Sequence, residues 1–147
     1  MQLVKNINNG MMARGFAALL LGSTMILSAG HAISADATVQ SAGGISHVSG
    51  GIGADSIAKL ESLTKDFNLK LVFALQSGNY VADVQVVIAD AKGKTLLGAT
   101  SAGPWFLAKL PAGSYQIVAT FAGNAVKRTV TVGTANLQTV DFRWATE

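Results

Sequence analysis

The spacing of large apolar side chains changes along the chain, and the most regular part begins after Asn68. From there large apolar residues recur at every second position, separated by smaller or polar ones. Successive side chains of a strand point to opposite faces, so this alternation predicts strands with one buried face. In the first two predicted strands the alternating residues are Leu69, Leu71, Phe73, Leu75, Val84, Val86 and Ile88.

Five further short strands are predicted between Thr95 and Trp144. Turn signals separate the strands, for example Asp90-Ala91-Lys92-Gly93-Lys94 and Pro111-Ala112-Gly113. Seven strands at a spacing of roughly 8 to 12 residues predict an antiparallel β-sandwich. No helix separates successive strands, so we expect no parallel pairing. The five segments are Thr95–Ala99, Trp105–Leu110, Tyr115–Phe121, the strand that carries Val126, Val130 and Val132, and Leu137–Trp144.

Residues 54–67 have a helical period. Apolar residues recur there at spacings of three, three and four, which predicts one amphipathic helix ahead of the sandwich, packed across a sheet face or an edge. The residues of this stripe are Ile57, Leu60, Leu63 and Phe67. Residues 33–53 are rich in Gly, Ser and Ala and predict a flexible lead-in, so the folded domain is expected to span residues 54–147.

The first 32 residues have the order of a secretory signal peptide. Lys5 and Arg14 precede the apolar run Phe16–Ala29, and no acid accompanies them. As a helix this run would span roughly 21 Å, short of the roughly 30 Å hydrocarbon core of a bilayer. A cleaved signal, with no stable membrane anchor afterwards, is therefore expected. No twin-arginine pair is present, so the general secretory route to the periplasm or the medium is predicted.

Cleavage after Ala32 or after Ala37 leaves small residues at −3 and −1, and Ala35 is a third option. We prefer Ala32, with Ala35 and Ala37 as alternatives. The whole chain of 147 residues carries a formal charge of +3, and removal of residues 1–32 leaves a net charge of +1. A nearly neutral domain lacks the basic surface that supplies most nucleic-acid affinity, which argues against that class of partner. The chain has no cysteine, so packing alone must hold the fold.

Residues 81–144 carry a set of motifs in a fixed order. An alternating strand meets Asp90-Ala91-Lys92-Gly93, then a short strand, then Leu110-Pro111-Ala112-Gly113-Ser114-Tyr115, and the next strand ends near Gly123. In this order the stretch resembles the carboxypeptidase regulatory-like, or transthyretin-like, β-sandwich domains. Gly103-Pro104-Trp105 departs from that pattern. The resemblance implies an Ig-like or transthyretin-like sandwich in a small exported bacterial protein, used for scaffolding, ligand binding or protein contacts.

Residues that could carry catalysis or bind a metal are few and scattered. His47 is the one histidine beyond the predicted signal peptide, and we expect it to be exposed or bonded to the backbone in an irregular segment. One histidine without cysteine cannot build a thiolate or multi-histidine metal site, so no metal or other cofactor is expected. Among the acids, Asp83 opens a strand beside Tyr80 and is the first candidate for a catalytic carboxylate.

The predicted topology brings three loops to one end of the sandwich. They are Ser77–Ala82, Thr100–Pro104 and Ala122–Asn124, and aromatic side chains beside polar donors there are typical of a sugar or protein contact. The candidate ligand- or partner-binding residues are Tyr80, Asp83, Trp105, Asn124 and Arg128. The alternative is structural, with Trp105 directed inward and Tyr80 covering a loop.

These observations favour an exported, non-enzymatic binding or protein-interaction module with a protein or glycan partner. The resemblance also allows self-association through edge strands. A small hydrolase that uses Asp83 and His47 is the first alternative, and it is similar to transthyretin-related hydrolases in fold only. A structural envelope component without a small ligand is the second alternative.

Overall fold

The computed structural model describes residues 37–145. The predicted signal peptide and the cleavage positions Ala32 and Ala35 lie outside these residues. The described chain has one α-helix, α1 (Ala54–Leu63), followed by a 3-10 turn (Thr64–Asp66). Its strands are β1 (Gln40–Ala42), β2 (Ile45–Gly50), β3 (Leu69–Leu75), β4 (Val84–Asp90), β5 (Thr95–Ser101), β6 (Trp105–Lys109), β7 (Gly113–Phe121), β8 (Asn124–Val132) and β9 (Gln138–Trp144).

The strands form two sheets with a shared interior. The five-stranded sheet has the order β1-β2-β6-β3-β9, and the four-stranded sheet has the order β5-β4-β7-β8. Apolar side chains from both sheets meet in one core cluster. The predicted mainly-β sandwich with one helix is therefore confirmed, although the described chain has nine strands rather than the seven predicted.

The core consists largely of the residues that alternate along the strands. Phe73, Phe142 and Trp144 pack together, with ring centroids 5.8 Å apart for the first pair and 6.5 Å for the last two. Fully burying one such side chain contributes about 1.5 to 3 kcal/mol. Residues with no measurable exposure include Leu69, Leu71, Phe73, Val84, Ile88, Phe106, Ile117 and Phe142.

The prediction of a flexible lead-in is wrong for residues 40–50, which form β1 and β2. Strand β2 pairs with β6 over five residues and lies inside the five-stranded sheet. Ile45 packs in the sandwich interior, whereas Val48 packs under the helix on the other face. Because both faces of β2 are covered, its sequence shows no alternation between apolar and polar residues. Small residues between these two apolar ones made the segment resemble a linker.

One strand pair also contradicts the expectation of purely antiparallel pairing. Strand β9 lies parallel to β3, in register from Leu69 opposite Gln138 to Leu75 opposite Trp144. Parallel strands need a long connection but not a helical one. Here the segment from β4 to β8 provides the connection, which builds the second sheet and also adds β6 on the other side of β3.

Helix α1 packs across the outer face of the five-stranded sheet, as one of the two expected placements. Leu60 is fully buried there beside Val48 and Leu107. Gly53 precedes the first turn with a φ of 87°, and no side chain caps the N-terminus of the helix. The predicted helical stripe extended to Phe67, but the α-helix ends at Leu63. No helix within residues 37–145 combines the length and apolarity needed to cross a bilayer.

Candidate functional site

The strand registers place the three predicted loops at one end of the sandwich. The backbone N–H of Asp83 donates to the carbonyl of Ser101 at 2.9 Å, which joins the first two loops. Phe73 N–H donates to the carbonyl of Pro104, also at 2.9 Å. Phe121 pairs with Asn124 across the third loop. This end therefore has a defined backbone frame.

Three of the predicted site residues at this end are exposed: Tyr80, Asp83 and Asn124. The Tyr80 side chain has 66% of its surface exposed, as has that of Ile52 after β2. Asp83 is exposed and has a φ of 58°, a left-handed conformation that Asp tolerates better than most residues. Tyr80 pairs through its backbone with Ala74 of β3. Its side chain lies outside the core, as expected for a contact residue or for a loop cover.

Trp105 lies on the outer face of the five-stranded sheet rather than in the interior. Its half-buried ring packs against the cluster under the helix. The Lys70 Nζ stands 3.5 Å from the ring centroid, in a cation–π contact. Burial lowers the pKa of Lys70, while the nearby carboxylates of Glu61 and Asp141 oppose that shift. One face of the indole is therefore occupied by a lysine of the same chain.

Asn124 connects the third loop to the last strand. Its backbone carbonyl accepts a hydrogen bond of 2.8 Å from the Trp144 indole Nε1. Its side-chain amide donates to the carbonyl of Ala122 at 3.4 Å, a long contact on the exposed hairpin. The bond from the Trp144 indole fixes the β7–β8 hairpin to β9.

Arg128 does not belong to the loop end. It pairs with Ile117 in the middle of β8, four residues beyond Asn124 and therefore about 14 Å along the strand. The structure thus places Tyr80, Asp83, Trp105 and Asn124 at one end and Arg128 elsewhere. The five predicted residues do not form one site.

Arg128 instead lines a groove along one side of the sandwich. Strands β8 and β9 are the last strands of their sheets and lie side by side. The groove between them has a volume of about 590 Å³. Its base continues into the core through Val130 and Val140. Its lining consists of Arg128, Thr129, Val130, Thr131, Gln138, Thr139, Val140 and Asp141.

His47 is neither exposed nor in the irregular segment that the sequence predicted. It lies in β2 with 5% of its surface exposed, and its ring stacks on Phe106 with centroids 5.5 Å apart and planes 15° apart. The expectation for His47 was wrong for the same reason as that for the lead-in: the sequence of β2 does not indicate a strand. Asp83, its partner in the hydrolase alternative, has an exposed side chain on the loop before β4.

Within the described residues, no group of three or more His, Asp and Glu side chains is arranged to hold a metal ion. Comparison with known proteins adds no assignment: no protein-family model matches the chain, and no curated protein matches it. The similarity to carboxypeptidase regulatory-like domains therefore stays a prediction, and a functional proposal has to be built from the geometry.

Proposed function

We propose that this protein is an exported, non-enzymatic interaction module that binds an extended segment of a partner protein along strand β8. The observation that carries the proposal is the groove of about 590 Å³ beside β8, at the end of the four-stranded sheet. An edge strand offers unpaired backbone groups to which a partner strand can add.

The register of the β7–β8 hairpin indicates which backbone groups are available. Ala122 and Gly123 form a two-residue turn between the paired residues Phe121 and Asn124. Such a turn closes on a hydrogen-bonded pair, after which bonded and non-bonded pairs alternate. Lys127, Thr129 and Thr131 therefore direct their N–H and C=O groups away from β7. A partner strand would bond to these three residues.

The side chains of β8 indicate the chemistry of the partner segment. The strand carries Lys127 and Arg128, both exposed, and it contains no acidic residue. Like charges opposite one another destabilise paired strands, whereas opposite charges stabilise them. An extended segment with acidic residues opposite these two is therefore favoured. A second β8 strand, which would bring four positive charges together, is a poorer match.

Two further observations bear on the type of sandwich and on the predicted cleavage position. The Tyr115 hydroxyl donates to the carbonyl of Pro111, so the Leu-Pro-x-Gly-x-Tyr turn closes on itself in the manner of a tyrosine corner. This supports an Ig-like or transthyretin-like sandwich. Ala37 is buried in the cluster under the helix, so cleavage after Ala32 or Ala35 would keep that contact while cleavage after Ala37 would remove it.

A photo-crosslinking amino acid at position 129 tests the proposal in the exported fraction. The same group at Gln85, an exposed residue of β4 in the same sheet, is the control. We expect a discrete adduct from position 129 only. The variant Thr129→Pro removes one outward N–H and should abolish capture of that partner, whereas Thr129→Ala should retain it.

Equal capture of the partner by Thr129→Pro and Thr129→Ala would contradict strand addition. Loss of an assayed hydrolysis on substitution of Asp83 and His47 would favour the hydrolase alternative instead. If positions 129 and 85 both give no adduct, while removal of the protein alters the envelope, the structural alternative is favoured.

A further inference from the structure

The two basic residues of β8 lie on opposite faces of the strand. Val126 and Val130 pack on the core of the sandwich. Arg128 shares their face, because side chains two positions apart in a strand lie on the same side. Its partner in β7 is Ile117, a fully buried core residue. Arg128 is therefore a charged side chain on the inward face of an edge strand, whereas Lys127 lies on the outer face.

Valine side chains flank this guanidinium along the groove between β8 and β9. Val126 precedes Arg128 by two residues and is half-buried, and Val130 follows it by two. Val140 of β9, also half-buried, lines the groove from the other sheet. The inward face of β8 thus presents an apolar, a cationic and an apolar position in turn, over a length of roughly 13 Å.

No counter-charge is paired with Arg128 in the part of the chain that the structure describes. Its guanidinium has no hydrogen-bond or ion-pair partner among these residues. Asp141 is the one acidic residue of the groove lining, and it lies on the opposite face of β9 from its neighbour Val140. The Asp141 carboxylate lies close enough to Lys70 to oppose the lowering of the pKa of that lysine. Arg128 is therefore free to pair with an anion from outside the described chain.

An inward charge on an edge strand changes which strands can pair with it. A strand that adds to β8 covers Arg128, and a covered guanidinium without a counter-charge loses hydration that nothing replaces. Natural sheets use inward charges to block unwanted strand addition for this reason. A carboxylate opposite Arg128 offsets the cost through charge-assisted hydrogen bonds. The same residue therefore disfavours a neutral strand and favours an acidic one.

The backbone register of an added strand brings such a carboxylate close to the guanidinium. Lys127 and Thr129 direct their backbone groups toward the added strand, so Arg128 between them forms a pair without backbone bonds. In antiparallel pairing the Cα atoms of such a pair lie about 4.5 Å apart, closer than the about 5.5 Å of a bonded pair. The residues two positions before and after the carboxylate then lie opposite Val126 and Val130 and face the groove.

We infer that Arg128 determines which strand β8 accepts, and that the accepted segment carries Asp or Glu with an aliphatic residue two positions away on each side. This inference rests on the proposed function and deepens it, because it gives the sequence pattern of the bound segment. The acidic residue lies opposite Arg128, and the aliphatic residues extend the core at the groove. Lys127, on the outer face, does not select the partner.

Three synthetic peptides test the inference on the protein purified from the exported fraction. The first, acetyl-Thr-Val-Thr-Glu-Thr-Val-Thr-amide, has the expected pattern, and the other two carry Gln or Lys in place of Glu. Fluorescence anisotropy of the labelled peptides measures Kd. We expect the Gln peptide to bind roughly three- to ten-fold more weakly than the Glu peptide, and the Lys peptide more weakly still. The preference for Glu should narrow in 1 M NaCl, because salt screens the ion pair.

Charge reversal at β8 separates recognition by Arg128 from a general effect of charge. Arg128→Glu should reverse the order, so that the Lys peptide binds most tightly, and Arg128→Gln should bind the Glu and Gln peptides equally. The matched control Lys127→Glu makes the same charge change one residue away, on the outer face, and should keep the order of the parent. An unchanged order in both Arg128 variants, or the same reversal by Lys127→Glu, would overturn the inference.

Failure of this inference and failure of strand addition give different results. If the parent binds all three peptides equally and Thr129→Pro abolishes that binding, β8 accepts strands without regard to charge. The inference is then overturned while the proposed function stands. If Thr129→Pro binds the peptides as tightly as the parent does, strand addition fails and the inference fails with it. Absence of binding by every peptide also overturns the inference, and the crosslink from position 129 then decides the proposed function by itself.

Discussion

The backbone carbonyl of Gly50 occupies the space that a side chain at Gly103 would need. A Cβ at position 103 would lie closer to this carbonyl than real Cβ atoms come to any neighbour. Gly51, the next residue, packs against Pro104 and Trp105. The end of β2 and the β5–β6 loop are thus in direct backbone contact, and this contact defines one corner of the loop end.

Replacement of Gly103 by alanine should destabilise the protein by about 1 to 3 kcal/mol, because either backbone must move to admit the methyl group. The control is Gly98→Ala in β5, where a Cβ meets nothing within 4 Å. Neither glycine needs a left-handed φ, so the comparison isolates the steric effect. Urea unfolding measures both, and equal stability of the two variants would contradict the close contact.

The β7–β8 turn contains an alanine in an unfavourable conformation. Ala122 has a φ of 49° and Gly123 a φ of 81°, the pattern of a type I′ turn. A non-glycine residue in the left-handed region costs about 1 to 2 kcal/mol, and Asn tolerates it better than Ala does. We expect Ala122→Asn to raise stability by about 0.5 to 1 kcal/mol and Gly123→Ala to lower it. Thermal unfolding distinguishes these outcomes, and a lower Tm for Ala122→Asn would contradict this account.

Asn68 is a buried amide that ties three parts of the chain together. Its Nδ2 donates to the carbonyls of Leu110 at 2.6 Å and Gly133 at 3.0 Å, and its Oδ1 accepts from Leu110 N–H at 2.9 Å. Removing the amide leaves three backbone groups without this partner, so Asn68→Ala should cost about 2 to 4 kcal/mol. Asn136→Ala, at an exposed position, should change stability by less than about 0.5 kcal/mol.

Asn68→Asp gives a sharper form of the same test. The carboxylate keeps the size and the acceptor but loses both donors, and it would face two carbonyl oxygens. We expect this variant to be at least as unstable as Asn68→Ala at pH 7. Stability close to that of the parent would show that the two donor bonds contribute little.

Tyr115 should make stability depend on pH in the alkaline range. Burial, with a smaller contribution from Asp90, raises the pKa of its hydroxyl. The folded state then retains the proton longer than the unfolded state. The resulting stability is complete below the unfolded pKa of about 10 and is lost as pH rises through the folded pKa.

Tyr115→Phe should therefore cost about 0.5 to 1.5 kcal/mol at pH 8, through loss of the bond to Pro111. This difference from the parent should shrink above about pH 10. Urea unfolding from pH 8 to 11 measures it. Tyr80→Phe, at an exposed tyrosine, is the control and should show no such trend. A difference that stays constant up to pH 11 would contradict the assignment to Tyr115.

The sandwich was predictable where large apolar residues alternate against polar ones. Strands β3, β4 and β7 have one face in the core and follow that rule, so their inward faces were predicted correctly. Strand β2 has the core on one side and the helix on the other, and its small residues leave no periodic signal. The parallel pairing of β3 with β9 was missed because the prediction considered only neighbouring strands.

The candidate site was predictable only in part. The three loops meet at one end as expected, because that follows from the alternating direction of the strands. Arg128 was misplaced because its position depends on the length of β8, which continues to Val132. The roles of His47 and Asn68 depend on contacts with distant segments. Asn68, for example, bonds to Leu110 and Gly133, which lie 42 and 65 positions further along the chain.

The parallel pair of β3 and β9 also governs when the domain can close. Each of its seven register pairs joins residues that are 69 positions apart, from Leu69 with Gln138 to Leu75 with Trp144. Contacts of such long range form slowly, because loop closure precedes any gain from pairing. A chain that emerges with its N-terminus first must therefore leave one side of β3 unpaired until β9 has emerged.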